Sequence, residues 1–386
     1  MDHVSSFGKY SNNSFTNINT IYGFPKTLGN YQFDIIVLHY SLFGSHPFSL
    51  FKPFYEYVRR QSSCIKIAFF QDEYQYCLSR FKLINELDIS VIFSLLEEKY
   101  LKPVYNRCEC VKHIYSTLAG YVSEDLKIQS NILFKHFNER TVDFGYRARD
   151  LSFVMGKGAQ EKTDIAFKFQ HLCKGKGYKL DLSSSENTRI YGDDWFRFIS
   201  NCKAMLGVEA GVSIFDVNGD AAKECQNYLK LNPQCSFAEI SNDILYKYEK
   251  SEDNFYYRMI SPRIFESAAF KVCMILFEGK YTQILEPLIH YIPLKKDFSN
   301  IDEVLSIYNN DQKRNTIIQN AYDHLIESNH FSFSKFIFDF DEIIDSFNFQ
   351  KQPDQDLETL RLDITKIKKI FDRRHNFKQL IKKTFI

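Results

Sequence analysis

Short apolar runs alternate along this chain with amphipathic stretches. FDIIVLHY (Phe33–Tyr40), IKIAFF (Ile65–Phe70) and ISVIFS (Ile89–Ser94) are apolar on both faces and rich in β-branched residues, which predicts buried strands. PFYEYVRRQ, between the first two, has a helical period. Strands alternating with helices predict a parallel sheet joined by crossovers. A charged helix is expected over Leu95–Lys102 and a turn over Thr117–Tyr121, while 123–138 shows no clear period. Beyond it the alternation resumes. Strands are expected over Thr141–Gly145, Tyr178–Leu182 and Lys203–Gly207, with a helix over Asp194–Cys202. VCMILF (Val272–Phe277) reads as another buried strand. Amphipathic helices are expected over Ile301–Tyr308 and Lys313–Glu327, followed by an aromatic-rich helical pattern over Phe331–Phe347. The polar run Ala221–Lys250 reads as a surface insertion. A chain of 386 residues makes two domains the default. The pattern places them at 1–138 and 139–345, with a tail at 346–386.

The stretch Ile260–Asp297 carries the densest chemistry. Ser261 suits an N-cap, and Pro262 sits where a first helical turn tolerates it. Arg263 and Glu266, three apart, share a helix face near that start. Ser267, Ala268 and Ala269 allow close packing before the VCMILF strand, and Glu278-Gly279 turns the chain at the strand's C-terminal end. That end is where open α/β sheets bind ligands. A helix start offers N–H groups and a positive dipole end to phosphate, and Glu266 can accept hydrogen bonds from sugar hydroxyls. The stretch therefore reads as a nucleotide or sugar-phosphate site.

In the first half, Gln71-Asp72-Glu73-Tyr74 follows a buried strand. Its paired carboxylates suit a general base, since neighbouring acids raise one another's pKa. They equally suit the first turn of a helix. His39 and His46 stand near the same edge, although a lone histidine is more often structural or solvated. The turn containing Gly207, Glu209, Gly211 and Ser213 also lies at a strand end, where glycines let backbone approach a ligand. Asp216 and Asn218 suit fixing the next turn. The single tryptophan, Trp195, reads as core.

Ile260–Asp297 resembles the C-terminal domain signature of GT-B-fold glycosyltransferases, especially the bacterial group 1 and CgeB-like enzymes. Gln71–Tyr74 is similar to their N-domain motif. Leu206-Gly207-x-Glu209-x-Gly211-x-Ser213 and the opening His3-x-x-Ser6-Phe7-x-x-Tyr10-Ser11 are similar to further segments of that group. The resemblance implies an α/β protein with two Rossmann-like domains facing across a cleft, and a C-terminal helix returning to the first domain. It implies a nucleotide-sugar donor in the second domain, with Arg147, Lys162 and Arg263 facing its phosphates and Glu266 its ribose. Glu209, Ser213, His290 and Tyr291 complete the implied donor set. Asp72, with Glu73 as second choice, becomes the base that deprotonates an acceptor hydroxyl. Many relatives carry paired glutamates on the signature helix. Glu266 matches the second, and Arg258 stands where the first would be.

The activity so implied moves a sugar from a nucleotide-sugar to a glycan or lipid-linked acceptor in surface polysaccharide biosynthesis. The nucleotide-sugar is substrate, and no cofactor is expected. A base at Asp72 implies inversion. No Asp-x-Asp motif stands at a strand end, so metal independence is expected. Two alternatives share the fold: a sugar-nucleotide epimerase, and a silent scaffold of a polysaccharide-assembly complex.

Charge and cysteine content narrow the picture. Lys and Arg total 49 against 48 Asp and Glu, a balance that argues against nucleic-acid binding by net charge. The nine cysteines are scattered, and Cys108-Glu109-Cys110 has no second pair to complete a zinc set. Free thiols in a reducing cytosol are expected. The opening MDHVSSFGKYSNNSF lacks a basic segment leading into an apolar run, so no secretory signal is expected. No apolar run reaches the roughly 18 residues of a membrane span. In the tail, Leu357–Ile386, apolar Ile364, Ile367, Phe371, Phe377, Leu380 and Ile381 fall at near-helical spacing. Lys366, Lys368, Lys369, Arg373, Arg374, Lys378, Lys382 and Lys383 crowd the same span. Such a helix suits peripheral contact with the inner face of a cytoplasmic membrane, or packing on the body with a solvated basic face.

Overall fold

The computed structural model describes residues 2–43, 48–347, 349 and 351–384, with 376–384 described by their backbone alone. His46 and the side chains of Phe377, Lys378, Leu380, Ile381, Lys382 and Lys383 lie outside the described residues.

Helix α1 (Asp2–Tyr10) precedes a sheet of four parallel strands, β1 (Ile35–Leu38), β2 (Ile65–Phe69), β3 (Val91–Ser94) and β4 (His113–Ser116), in that order. They are joined by α2 (Lys52–Arg60), α3 (Cys77–Leu87) and α4 (Glu98–Tyr105). The pleat divides each strand between two cores. Ala68, Phe70 and Ile92 join the side chains of α2, α3 and α4. Ile67, Phe69, Val91 and Phe93 point to the other face. β4 escapes the apolar pattern because it is an edge strand whose His113 and Ser116 are exposed.

Helix α5 (Glu124–Ile132) leads to the second sheet. Its members come in the chain order β5 (Val142–Arg147), α6 (Lys157–Cys173), β6 (Leu180–Ser183), α7 (Asp193–Asn201) and β7 (Cys202–Gly207). After the short strand β8 (Ala210–Val212) come α8 (Asp220–Leu231), α9 (Phe237–Ile240), α10 (Tyr246–Glu249) and strand β9 (Tyr257–Met259). Then α11 (Pro262–Ala269), β10 (Cys273–Phe277) and β11 (Ile292–Leu294) complete the sheet. Its order is β11–β10–β7–β5–β6, all parallel. The chain leaves β5 for β6 and then returns to β7 on the far side of β5. That reversal opens a crevice at the C-terminal ends of β5 and β7. β11 (Ile-Pro-Leu) also escapes a sequence reading, because its proline is tolerated only at an edge.

Two features join the halves. β8 and β9 form an antiparallel ribbon whose Val212, Tyr257 and Met259 pack in the core of the first domain, together with Phe215 and Val217. The polar run 221–250 is helical and holds a small core of its own, with Ala221, Cys225, Ile240 and Leu245 under Ile214. After α12 (Ile301–Asn309) and α13 (Asp311–Tyr322), α14 (Phe333–Asp345) crosses back to the first sheet. Its Phe336, Ile337, Phe340 and Ile344 cover Ile67, Phe69, Val91 and Phe93, beside Phe7 of α1. Helix α15 (Glu358–Thr384) follows on the first domain, with Leu360 buried in its core. Two Rossmann-like α/β domains with a returning C-terminal helix are the GT-B arrangement expected above. All nine cysteines are unpaired. Among the described residues, no helix is long and apolar enough to cross a membrane.

Because α14 supplies one face of the first sheet, Phe340→Ala should weaken a domain more than two hundred residues upstream. The cost is about 3–5 kcal/mol. Hydrogen exchange should then show protection lost first in β2 and β3, with β5 and β7 unaffected.

Candidate active-site cleft

A cleft of about 550 Å³ lies between the two sheets, within the usual range for a small-molecule site. Its second-domain wall is built at the topological reversal: Tyr146–Arg149 at the end of β5, Leu206–Val208 at the end of β7, and the start of α11. Asp72 and Tyr74, from the loop after β2, face it from the first domain.

The α11 end is formed as the local chemistry dictates. Ser261 is extended (φ −85°, ψ 144°), its hydroxyl accepts from the Arg263 N–H, and Pro262 occupies the first turn. Arg263 and Glu266 both line the cleft. Glu266 Oε2 accepts from Trp195 Nε1 at 2.8 Å. Burial raises the Glu266 pKa, opposed by the Trp195 hydrogen bond and the charge of Arg263. Trp195 is thus a cleft residue rather than a purely core one. It also lies 5.5 Å beneath the Arg263 guanidinium.

The same wall is strongly cationic. Lys162 on α6, Arg149 beyond β5 and Arg263 all line it. Among the described residues, the Lys162 and Arg149 side chains have no hydrogen-bond partner. Burial lowers the Lys162 pKa to about 8, and Arg263, Arg258 and Arg149 push it the same way while Asp72 opposes. A half-buried ammonium among three guanidiniums is a site short of negative charge. Arg147 lines the cleft but is committed elsewhere. Its Nη1 donates to the Tyr146 and Asp181 carbonyls, Nη2 to the Asp181 carboxylate at 2.6 Å, and Nε to the Thr188 carbonyl. Four of its five N–H groups face protein acceptors, so it braces the loop on which Arg149 stands.

The loop after β2 separates its two carboxylates completely. Asp72 adopts a left-handed conformation (φ 52°), which aspartate tolerates better than most residues. Asp72 faces the cleft, and burial raises its pKa while Lys162 and Arg149 pull it down. Glu73 turns into the core and has no exposed surface. Its carboxylate accepts from Ser94 Oγ at 2.8 Å, Leu95 N at 2.9 Å, the Tyr105 hydroxyl, and Tyr257 of the β8–β9 ribbon at 3.4 Å. Glu73 therefore anchors the loop that presents Asp72.

Four further expected residues also stand outside the cleft. Glu209 is buried beneath it, accepting from Tyr281 N at 2.9 Å, Lys280 N at 3.1 Å and the Tyr256 hydroxyl. A side chain at Gly279 would meet this carboxylate at 2.7 Å, so glycine is required there. Ser213 Oγ accepts from Gly158 N at 2.6 Å and holds the start of α6. His290 stacks on His324 at 4.5 Å, and its Nδ1 accepts from Glu286 N. Tyr291 is buried against Tyr281. Arg258 forks onto Glu161, which also pairs with Lys296 at 2.7 Å. His39 shares a 3.1 Å hydrogen bond with His3 of α1, inside an aromatic cluster. Sequence reading missed Arg149 and Tyr191. Tyr191 is 64% exposed at the cleft wall, with Arg189 4.8 Å over its ring. Arg149 stood two positions past Arg147, but only the folded loop shows which of the two is committed to protein acceptors.

No protein-family model and no curated protein matches the chain. Among solved structures it is similar to TarM, at 11% identity and a TM-score of 0.42, over 81% of this chain and 55% of that one. It is similar to Anabaena HepE in complex with UDP, at 12% identity and a TM-score of 0.41, over 83% and 80% of the two chains. It is also similar to an alpha-glucosyltransferase in complex with UDP-glucose and DNA containing an abasic site, at 11% identity and a TM-score of 0.46, over 81% and 80%. The chain thus spans about half the length of TarM.

Lys162 links the site to stability. Its folded-state pKa of about 8 lies below the ordinary 10.5, so the unfolded chain binds more protons between those values. The destabilisation is fully present below about pH 8 and fades as the pH rises to 10.5. Lys162→Met should therefore raise the unfolding free energy at pH 7 by roughly 2–3 kcal/mol, with the gain vanishing above pH 10. Denaturant titrations across that window check it.

Proposed function

We propose that the protein is a glycosyltransferase that moves a sugar from a nucleotide-sugar to a hydroxyl of a glycan or lipid-linked acceptor. The observation that carries this reading is the opposition of the two cleft walls. One is cationic and holds a carboxylate at a helix start. The other presents a single cleft-facing carboxylate from a different domain. The donor diphosphate would lie against Lys162, Arg149 and Arg263, where a charge-deficient pocket favours an anion. Glu266, with one oxygen held by Trp195, would take a ribose hydroxyl. The exposed ring of Tyr191 suits a nucleobase.

The chemistry follows from that placement. The acceptor oxygen attacks the anomeric carbon and its proton passes to Asp72. The bond from the anomeric carbon to the phosphate oxygen breaks, and its electron pair leaves on the diphosphate. Lys162, Arg149 and Arg263 stabilise that charge, so we propose transfer without a metal ion. Burial raises the Asp72 pKa against the pull of Lys162 and Arg149, and its place on the wall facing the donor suits a general base. Attack from the face opposite the leaving group inverts the anomeric centre. The similarity to group 1 and CgeB-like enzymes at Gln71–Tyr74, Gly207–Ser213 and Ile260–Asp297 supports this reading. It leaves Glu73, Glu209 and Arg147 as residues that position the site.

Asp72→Asn should lower kcat by roughly 10²–10⁴-fold while donor affinity, read by thermal stabilisation across a nucleotide-sugar panel, stays the same. Glu266→Ala should instead weaken donor binding by about 10–100-fold. Transfer should persist in excess chelator. Full activity in Asp72→Asn would remove the assigned base. Turnover of donor to free sugar without any acceptor points to an epimerase, and no binding across the panel points to a scaffold.

A further inference from the structure

Helix α15 turns its apolar stripe toward the protein rather than away from it. Leu360 is fully buried and Ile364 packs beside it on the first-domain core. Phe371 meets the Tyr22 ring at 5.1 Å. Asp363 accepts from Thr27 N at 3.0 Å and from its hydroxyl at 3.1 Å. The stripe expected to enter a membrane is therefore occupied, and shallow insertion along it is closed to residues 360–371. The opposite face is left over. Leu362, Lys366, Lys369 and Arg373 recur at helical spacing along one line, and all four are exposed. Leu362 is 64% exposed and neighbouring Ile370 40%. None of these residues serves the cleft.

We propose that this outer face of α15 docks the protein on a lipid bilayer surface rich in anionic headgroups. A protein of net charge +1 has no general attraction to polyanions, so the attraction is local to this face. Between Glu358 and His375 the helix carries six Lys and Arg against three acids, one of which, Asp363, is held by Thr27. An anionic headgroup layer complements that charge. Exposed Leu362 and Ile370 among the cations favour lipid over a purely hydrophilic polyanion, because a bilayer interface offers apolar contact beside the charge. Ile21, next to Tyr22 at the seam with α15, is also 65% exposed. Since the apolar stripe is engaged by the protein itself over 360–371, the contact there is electrostatic, shallow and reversible. It does not rest on the transfer reaction.

Co-sedimentation of the full chain with vesicles tests this. Vesicles containing about one-third phosphatidylglycerol in phosphatidylcholine should bind the protein, and phosphatidylcholine alone should not. Binding should fall steeply as salt rises from about 50 to 300 mM. The triple variant Lys366→Glu/Lys369→Glu/Arg373→Glu should lose vesicle affinity by about tenfold or more, while a nucleotide-sugar still stabilises it thermally. Leu362→Gln, which removes the apolar contact without changing charge, should weaken vesicle binding but leave binding to heparin unchanged. No binding of the wild type to the anionic vesicles, or equal binding by the triple variant, overturns the proposal. Loss in the triple variant that is matched on heparin, with no effect of Leu362→Gln, overturns it in favour of a general polyanion site.

Discussion

A fully buried carboxylate holds this molecule's working parts in register. Glu73 lies where β2 ends, under the loop that reaches the cleft. Burying it is costly, and burial raises its pKa. The cost is offset by donors drawn from separate elements: Ser94 and Leu95 at the end of β3, Tyr105 on α4, and Tyr257 on β9. Arg80 adds a buried positive charge nearby and donates to the Glu73 carbonyl at 2.6 Å. A residue with these commitments cannot move, so the backbone on either side is fixed as well. Asp72, one position earlier, is thereby held in a left-handed turn and aimed at the opposite domain.

The same anchor couples the domains. Tyr257 belongs to the β8–β9 ribbon, which continues toward α11, while Asp216 N, just beyond β8, donates to the Tyr74 carbonyl at 2.7 Å. The loop bearing Asp72 is therefore seated on parts of the second half of the chain. The cleft is an arrangement of rigid supports rather than of two independent walls. On the second-domain side a buried charge ladder does comparable work. Glu161, Arg258 and Glu209 lie in sequence beneath the surface, with exposed Lys296 pairing Glu161 at the outer end. Arg258 neutralises two buried acids, Glu161 and Glu209, below the site. Among the described residues, the cations at the cleft surface, Lys162, Arg149 and Arg263, make no ion pair, and only Asp72 and Glu266 face them there.

Much of the architecture was legible before folding, for a physical reason. Strands buried on both faces and helices with one apolar stripe carry their period in local sequence. The Ser261-Pro262 helix start is likewise a local matter, since its cap and its proline act within one turn. What escaped lay at edges: β4 with exposed ends, β11 with its proline, and the β8–β9 ribbon, each too short or too polar to announce itself.

The site divides along the same line. Residue types at a strand end and a helix start brought Asp72, Arg263 and Glu266 forward as cleft residues, and the resemblance to GT-B enzymes brought Lys162. They could not separate Asp72 from Glu73, or Arg147 from Arg149, because neighbours in the chain share every local property. Only long-range packing made those distinctions, through a carboxylate bonded to β3, α4 and β9 and a guanidinium bonded across to Asp181 and Thr188. The same holds for α15. Its amphipathic period is local, but which stripe meets the protein was decided by Tyr22, Thr27 and the first-domain core, partners that no window of sequence around the helix contains.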